Sequence, residues 1–418
     1  MAELCSSKQV CPQQARLLYD SAISIEVIIM IRQRFSRREF SRTIGRAMAA
    51  VWAAPSVLRA ASGAAVAAPA KSASPATPKP AGMIRISANE NPYGPSRWAK
   101  LALSTCDEVA ARYPDGAHVE MEEELAQLHQ VKRENILLGC GSGEILRVAD
   151  VAFVKPGMNA VAAEPTFEAV LDYVGVLHAD GVKVPPTADH RHDLPRMAAA
   201  CTSKTGLVYV CNPNNPTATI VTKDELADFI PRVPATTAIL VDEAYFHFVE
   251  EPKYSTAMGW IAEHPNVIVA RTFSKIYGMA GMRLGYAVGS KEMIARMRSH
   301  ALHSNANAGV LAAAKASMAD QEWVGHCRAQ IRDTRKWVTG ELAKDGREVV
   351  DSHANFFMVN MGTDVKPVIA AFREKGIEVG RKFPSMGNYL RVTVGTREEM
   401  EAFWGAFKEI AASQAKAA

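Results

Sequence analysis

The sequence predicts an α/β protein, with a mostly parallel central sheet in a large domain and a smaller α+β domain after it. From residue 136 onward, short apolar runs of strand length alternate with longer segments of helical periodicity. The runs are continuously apolar, which is typical of strands buried on both faces of a helix-covered parallel sheet. Distinctive polar residues follow directly after these runs, at the strand ends where α/β proteins bind ligands.

Six runs are predicted to be strands, and each ends in small or polar residues. They span 136–138, 160–163, 207–211, 238–241, 267–270 and 284–288. After Gly289 the pattern changes to helical segments, predicted at 291–303 and 308–340, and then to a mixed tail. A domain change is therefore expected near residue 298. The predicted parts are a leader at 1–82, an N-terminal arm at 83–105, a large domain at 106–298 and a small domain at 299–418.

Composition and charge exclude several classes of protein. The 418 residues are 48% hydrophobic and 22% charged, as expected for a globular chain long enough for two domains. The net charge is only +4 and no dense basic block follows residue 80, so no nucleic-acid partner is expected. Seven cysteines lack the spacing of a metal site, and no metal is expected. No run of 18 uncharged apolar residues exists, which predicts no stable membrane anchor.

The first 82 residues differ in composition from the rest and are predicted to be an export leader. Ser-Arg-Arg-Glu-Phe at 36–40 resembles a twin-arginine signal. An Ala-rich stretch at 43–68, a small-residue cleavage site at 68–70 and a Pro-rich linker at 71–82 follow in the expected order. A periplasmic protein is therefore expected. The alternative is a basic leader with paired arginines by chance, or a true start at Met30, and a cytoplasmic protein.

Five polar segments are expected to meet at one edge of the sheet. They follow successive strands, at 139–144, 165–167, 212–217, 242–245 and 274–275. The first is a glycine-rich turn that opens a helix, where backbone N–H groups and the helix dipole suit a phosphate. It does not match the G-x-G-x-x-G dinucleotide pattern. A mononucleotide-like phosphate is therefore the predicted ligand of this turn.

Two charged residues in these segments indicate the chemistry. Asp242 follows an apolar strand, where a buried carboxylate is costly unless it meets a cation such as a protonated ring nitrogen. Lys275 follows the next strand, with Arg283 eight residues on. A desolvated lysine near other positive charge has a lowered pKa and can form an imine. The pattern favours a reactive lysine over a solvated one.

Six motifs occur in an order that resembles a known family. They are Ala-Asn-Glu-Asn-Pro-Tyr-Gly at 88–94, Arg-Tyr-Pro-Asp-Gly at 112–116, Asn-Pro-Asn-Asn-Pro-Thr at 212–217, Asp-Glu-Ala-Tyr at 242–245, Ser-Lys at 274–275 with Arg-Leu-Gly-Tyr at 283–286, and Leu-Arg-Val-Thr-Val-Gly-Thr at 390–396. Residues 84–405 thus resemble the class I and II aminotransferases of fold type I, and their histidinol-phosphate branch most. The resemblance implies a pyridoxal-phosphate-dependent enzyme that passes an amino group from an amino acid or amine to a 2-oxo acid by a ping-pong mechanism.

The resemblance also implies roles for individual residues. Lys275 would form the Schiff base with the cofactor and move the proton, and Asp242 would pair with the pyridinium nitrogen. The remaining cofactor residues are Asn215 and Tyr245 at the phenolate oxygen, Phe167 stacked on the ring, and Ser142, Gly143, Glu144, Thr272, Ser274 and Arg283 at the phosphate. Tyr113 would reach that phosphate from a partner subunit, which implies a homodimer with a shared site.

The implied substrate residues are less regular. Arg391 would clamp the α-carboxylate, with Asn89, Tyr93 and Asn355 bordering the substrate. Arg381 resembles the arginine that binds the substrate phosphate in histidinol-phosphate enzymes, shifted by one residue. Ala218 stands where the family usually has glycine. Alanine is expected to be tolerated there if the backbone φ of residue 218 is negative.

Several substrates and one other reaction stay open. The donor is a histidinol-phosphate-like compound or, for an exported enzyme, a catabolic or detoxified amine or amino acid. A decarboxylase of an amino-acid phosphate is the alternative on the same fold. A regulator or binding protein would need an added DNA-binding domain or loss of the lysine, and the sequence has neither.

Overall fold

The computed structural model describes residues 82–417, with side chains to residue 413, so the leader predicted at 1–82 lies almost wholly outside the described residues. The strands are β1 (Ile84–Ile86), β2 (Ile136–Gly139), β3 (Asn159–Ala163), β4 (Asp180–Val184), β5 (Thr205–Cys211), β6 (Ala238–Asp242), β7 (Val267–Thr272), β8 (Gly285–Gly289), β9 (Phe356–Asn360), β10 (Ile377–Val379) and β11 (Tyr389–Thr393). The α-helices are α1 (Arg97–Ser104), α2 (Asp115–His129), α3 (Ser142–Phe153), α4 (Ala169–Val176), α5 (Leu194–Ala200), α6 (Lys223–Phe229), α7 (Lys291–Arg298), α8 (Ala308–Ala319), α9 (Gln321–Lys344), α10 (Val365–Glu374) and α11 (Arg397–Ala417).

Seven strands form the central sheet in the order β2-β8-β7-β6-β5-β3-β4. All pair in parallel except β8, which runs antiparallel to β2 and β7. Every residue of β5, β6, β7 and β8 is buried, because helices cover both faces. The expected mostly parallel sheet and its six strands are confirmed.

Strand β4 was not predicted. It lies at the edge of the sheet and only its last residue, Val184, is buried. An edge strand needs no continuous apolar run, so Asp180 and Lys183 are tolerated in it and the hydrophobic signal is lost.

The helices after β8 are shorter than the sequence pattern indicated. The segment predicted at 291–303 ends as α7 at Arg298, and the segment predicted at 308–340 is two helices. Asp320 separates them, because its carboxylate accepts a hydrogen bond from the Trp323 amide at 3.1 Å and so starts α9 as an N-cap. No helix within residues 82–417 is long and apolar enough to cross a bilayer.

Two small sheets complete the fold. Strand β9 pairs antiparallel with β11, and β1 pairs in parallel with β10. The N-terminal strand is therefore tied to the C-terminal part of the chain. This pairing leads residues 87–91 of the N-terminal arm directly past β11: the Asn89 amide donates to Thr393 Oγ1 at 2.8 Å.

Candidate active site

The strand ends bring five of the predicted residues to one edge of the central sheet. Asp242 ends β6, and its register partners are Cys211, the last residue of β5, and Ala270 of β7, so β5 and β6 end level with each other and β7 continues to Thr272. Asn215 follows β5, Thr272 ends β7, and Ser274 and Lys275 come just after it. Arg391 enters from β11, with Nη1 donating to Asn215 Oδ1 and Nη2 to the Ser87 carbonyl, both at 2.7 Å.

Asp242 is a buried carboxylate held by two donors. The Tyr209 hydroxyl donates to Oδ2 at 2.9 Å, and the Ala244 amide donates to Oδ1 at 3.1 Å. Burial raises the pKa of Asp242 to about 6 despite these hydrogen bonds, which favour the charged form. A cation beside Asp242 would lower this pKa and keep the carboxylate fully ionised near neutral pH.

Tyr209 was missed by the sequence reasoning. It lies within the fully buried strand β5, in a run that was interpreted only as core. Its one signal was a hydroxyl in an otherwise apolar strand, since a buried phenol requires a hydrogen-bond partner.

Lys275 is partly buried and has few polar neighbours. Its Nζ lies 3.4 Å from the Ala88 carbonyl and 5.4 Å from the centroid of the Tyr245 ring. Burial lowers the pKa of Lys275 to about 8, with a further contribution from the positive charge of Arg391. A lysine with that pKa has a sizeable unprotonated fraction near neutral pH, as a nucleophile or base requires.

Tyr245 is oriented by the arm. Asn89 Nδ2 donates to the Tyr245 hydroxyl oxygen at 3.1 Å, and the Tyr245 ring packs edge-on against Phe356 at 5.0 Å. Because the Tyr245 hydroxyl oxygen accepts this hydrogen bond, the hydroxyl hydrogen of Tyr245 remains available for donation to another group. Asn89 has a φ of 55°, and Asn355 holds this left-handed conformation by donating to the Asn89 carbonyl at 3.0 Å.

Asn355 and Tyr93 both contact other segments of the chain. Asn355 is fully buried, and its amide also donates to the Glu90 carbonyl, so it supports the arm from behind. The Tyr93 ring contacts His326 of α9 edge-on at 5.9 Å, and burial raises the pKa of Tyr93 to about 12.

A glycine-rich cradle lies at the start of α3. Gly141 has a φ of +76°, and a Cβ there would lie 2.2 Å from Arg283 Nη2, so only glycine lets the guanidinium pack against the turn. Arg283 Nη1 lies 3.4 Å from Ser274 Oγ, which accepts a hydrogen bond from Thr272 Oγ1 at 2.9 Å. Guanidinium, hydroxyls and a helix N-terminus thus converge, a donor set that fits a phosphate.

Ser142 and Gly143 form the first turn of α3, as predicted, but Glu144 has other partners. The Glu144 amide donates to the Gly141 carbonyl at 3.2 Å. Its carboxylate accepts from the Cys140 amide at 2.5 Å and from Asn305 Nδ2 at 2.9 Å. Glu144 therefore stabilises the turn itself.

The residues present fit pyridoxal phosphate. A phosphate cradle, an amine of lowered pKa and a buried carboxylate lie at the same edge of the sheet, and each matches one functional group of that cofactor: phosphate, aldehyde and ring nitrogen. Phe167 is 37% exposed, which leaves its ring available for stacking.

Glu243 has a structural partner instead of a ligand. Arg271 Nη2 lies 2.8 Å from Glu243 Oε2, in a pair whose side chains are 8% and 0% exposed. The Thr256 hydroxyl and the Ala257 amide also donate to the Glu243 carboxylate. Of the two adjacent carboxylates, only Asp242 is left for a ligand.

Two expectations about the substrate region change. Ala218 has a φ of 63°, not the negative φ that would make alanine unstrained, and its carbonyl accepts from the His353 amide at 2.9 Å. Arg381 donates from Nη2 to Glu168 Oε1, so the arginine expected at a substrate phosphate carries its own carboxylate partner.

Comparison with known proteins agrees with this geometry. The family model described as aminotransferase class I and II matches residues 81–407. A histidinol-phosphate aminotransferase of Brevibacillus brevis is 38% identical over 78% of this chain and 90% of its own. An aromatic amino acid aminotransferase of Thermobifida fusca is 35% identical over 76% of this chain and 88% of its own. The crystal structure of histidinol-phosphate aminotransferase from Sinorhizobium meliloti in complex with pyridoxal-5'-phosphate superimposes with a TM-score of 0.75, at 27% identity over 80% of this chain and 92% of that one.

Proposed function

The chain belongs to the aminotransferase class I and II family, and we propose that Lys275, Asp242 and Tyr245 carry its chemistry. It is a pyridoxal-phosphate-dependent aminotransferase, which moves an amino group from a donor to a 2-oxo acid. One observation carries the residue assignment. The partly buried Lys275 amine, with a pKa of about 8, lies close enough to the buried carboxylate of Asp242 and to Arg283 of the phosphate cradle for their charges to act on it.

Each residue has a role that follows from its surroundings. The cofactor supplies a cationic ring that accepts the electron pair left when a proton leaves the donor's Cα. Asp242 would pair with the ring nitrogen, whose positive charge would keep the Asp242 carboxylate ionised. Lys275 would hold the cofactor and carry the proton, which its lowered pKa permits near neutral pH.

The other residues bind and orient. Tyr245 and Asn215 would donate to the phenolate oxygen, and Arg391 keeps Asn215 in place through the 2.7 Å hydrogen bond between them. Phe167 would cover one face of the ring. The phosphate would be held by the turn amides of Ser142 and Gly143, the hydroxyls of Thr272 and Ser274, and the guanidinium of Arg283.

Arg391 binds an anionic group of the substrate, which in every 2-oxo acid acceptor is the carboxylate. Two of its donors already hold Asn215 and the Ser87 carbonyl, which fixes the plane of the guanidinium for a bidentate contact. Asn89 is proposed to border the substrate, because its side chain donates a hydrogen bond to Tyr245. The donor is an amino acid or a histidinol-phosphate-like amine, as the names of the relatives suggest.

A spectroscopic donor screen tests this function. Holoenzyme is mixed with histidinol phosphate, aromatic and basic amino acids, and amines that lack an anionic group. Conversion of the cofactor's visible absorbance to that of the aminated cofactor, restored by a 2-oxo acid, is the expected result. Release of CO2 without that conversion would identify a decarboxylase instead.

We propose a homodimer in which Tyr113 completes the partner's site. Tyr113 is 87% exposed, and other large apolar side chains are exposed on the same stretch of chain, namely Trp98, Leu101 and Val109. Two variants, each expected to be inactive by itself, provide the test. In mixed dimers of Lys275→Ala and Tyr113→Ala subunits, one of the two sites has both residues intact, so up to half of the activity should return. Mixtures that stay inactive although exchange of subunits is verified would contradict this arrangement.

We also propose export by the twin-arginine route. Residues 36–40 resemble its signal, and the family match begins at residue 81, after nearly all of the proposed leader. Fractionation of cells expressing the Arg37→Lys/Arg38→Lys variant tests it. Retention of the variant, but not of the wild type, in the cytoplasm is expected; equal distribution of the two would refute export.

A further inference from the structure

An ion pair joins two segments that lie near Arg391. Arg381, which follows β10, donates from Nη2 to Oε1 of Glu168, which immediately precedes α4. The residues are 213 positions apart, so the pair connects the C-terminal part of the chain to the loop after β3. Their side chains are 53% and 36% exposed, which leaves both open to a small molecule.

Glycine holds Arg381 close to Arg391. The Gly380 amide donates to the Arg391 carbonyl at 2.9 Å, and a Cβ on Gly380 would lie 2.6 Å from that oxygen. The Arg381 and Arg391 guanidinium carbons lie 4.2 Å and 5.2 Å from the centroid of the same ring, Phe383. They are therefore at most 9.4 Å apart, the sum of the two separations, which one substrate with two anionic groups can span.

Glu168 is the carboxylate that balances this pair of arginines. It is adjacent to Phe167, the ring-stacking residue proposed above. Burial lowers the pKa of Arg391, Arg381 lowers it further, and Glu168 opposes that effect, so the charges of both residues are felt at the anion-binding position. A second contact holds the two segments together, because Ser385 Oγ donates to Glu164 Oε1 at 3.0 Å.

We propose that Glu168 is a specificity-determining residue: by neutralising Arg381 it favours amino donors with an uncharged side chain over donors with an anionic one. This inference rests on the proposed function, since it assigns the donor's carboxylate to Arg391. An uncharged side chain leaves the pair of Glu168 and Arg381 intact. A carboxylate or phosphate on the side chain must displace Glu168 from Arg381 and meets the repulsion of the released carboxylate.

The penalty is moderate because the pair is exposed. An exposed ion pair changes affinity by roughly up to fivefold, and repulsion between like charges adds to this. Anionic donors are thus disfavoured and not excluded. Removal of the Glu168 charge should improve them by about tenfold relative to uncharged donors.

Glutamate and glutamine provide a matched test, because they differ in side-chain charge and hardly in shape. In single-turnover reactions of holoenzyme, Glu168→Gln should raise the ratio of kcat/KM for glutamate over glutamine about tenfold. The double variant Glu168→Gln/Arg381→Gln should lose this rise. Glu401→Gln is the control, since Glu401 also pairs with an arginine, Arg397, but does so on α11.

Binding gives a second readout that needs no turnover. Glutarate, with two carboxylates, and glutaramate, with one, are titrated into holoenzyme by calorimetry, and Glu168→Gln should tighten glutarate alone. The role of Glu168 would be overturned if Glu168→Gln changed neither the ratio of kcat/KM for glutamate over glutamine nor the affinity for glutarate. Equal changes for charged and uncharged ligands would overturn it as well. If wild-type enzyme converts no amino donor at all, the proposed function itself fails.

Discussion

The clearest energetic prediction concerns Asp150, a carboxylate buried in α3. It is fully buried, and neither of its oxygens has a hydrogen-bond partner among the residues that the structure describes. Burial raises the pKa of Asp150 from 3.8 to about 8. The folded protein therefore holds Asp150 protonated at neutral pH, whereas the unfolded chain ionises it.

The size of the effect follows from the two pKa values. Because the folded pKa is the higher one, the contribution of Asp150 to stability is unaffected below pH 3.8, declines as pH rises, and levels off above about pH 8. At about 1.36 kcal/mol per pH unit, the 3.2 units between 3.8 and 7 correspond to roughly 4 kcal/mol. Asp150→Asn, which does not titrate, should therefore be more stable than wild type by about that amount at pH 7.

Urea unfolding of the apoenzyme at fixed protein concentration measures this difference. The gap between Asp150→Asn and wild type should be near zero at pH 4, about 4 kcal/mol at pH 7, and larger at pH 9. Asp172→Asn, an exposed carboxylate on the neighbouring helix α4, should show no such trend. A gap that does not vary with pH, or an Asp150→Asn protein less stable than wild type at pH 7, would show that Asp150 is ionised and partnered in the fold.

Four other predictions concern the site and its support. Lys275→Ala should remove the visible absorbance of bound cofactor and nearly all turnover while the far-UV circular dichroism stays unchanged; turnover at the wild-type rate would refute the central assignment. Asp242→Asn should still bind cofactor but lose rate by roughly 100-fold or more, measured as kcat. Tyr209→Phe removes a hydrogen-bond donor to the ionised Asp242, so the pKa of Asp242 should rise. The acidic limb of the kcat–pH profile should then move to higher pH by about one pH unit, and an unshifted limb would argue that Tyr209 does not act on Asp242. Arg271→Gln leaves Glu243 buried without its cation and should destabilise the fold by about 3–5 kcal/mol in urea unfolding, with Lys336→Gln, an exposed cation, as the neutral control.

The central sheet was readable in the sequence because its strands are buried on both faces. Because β5 and β6 are buried on both faces, their sequences are continuously apolar and are easily recognised as strands. In parallel sheets the residues that follow the carboxyl ends of such strands commonly bind ligands. Lys275 and Asp242 were therefore predictable as neighbours from local pattern alone. Strand β4 was not, because an edge strand carries no continuous apolar run. The break at Asp320 was not either, because hydrophobic periodicity records burial and does not record the local hydrogen bond by which Asp320 starts α9.

Only the tertiary structure decided which charges meet. Glu168 and Arg381 are 213 residues apart, Asn89 and Tyr245 are 156 apart, and no periodicity links such pairs. Electrostatic and hydrogen-bond partners are set by the distances between side chains in space, whereas sequence patterns record burial and backbone preference. The reaction class thus followed from motifs at strand ends, while the charge balance around the substrate side chain followed from the fold.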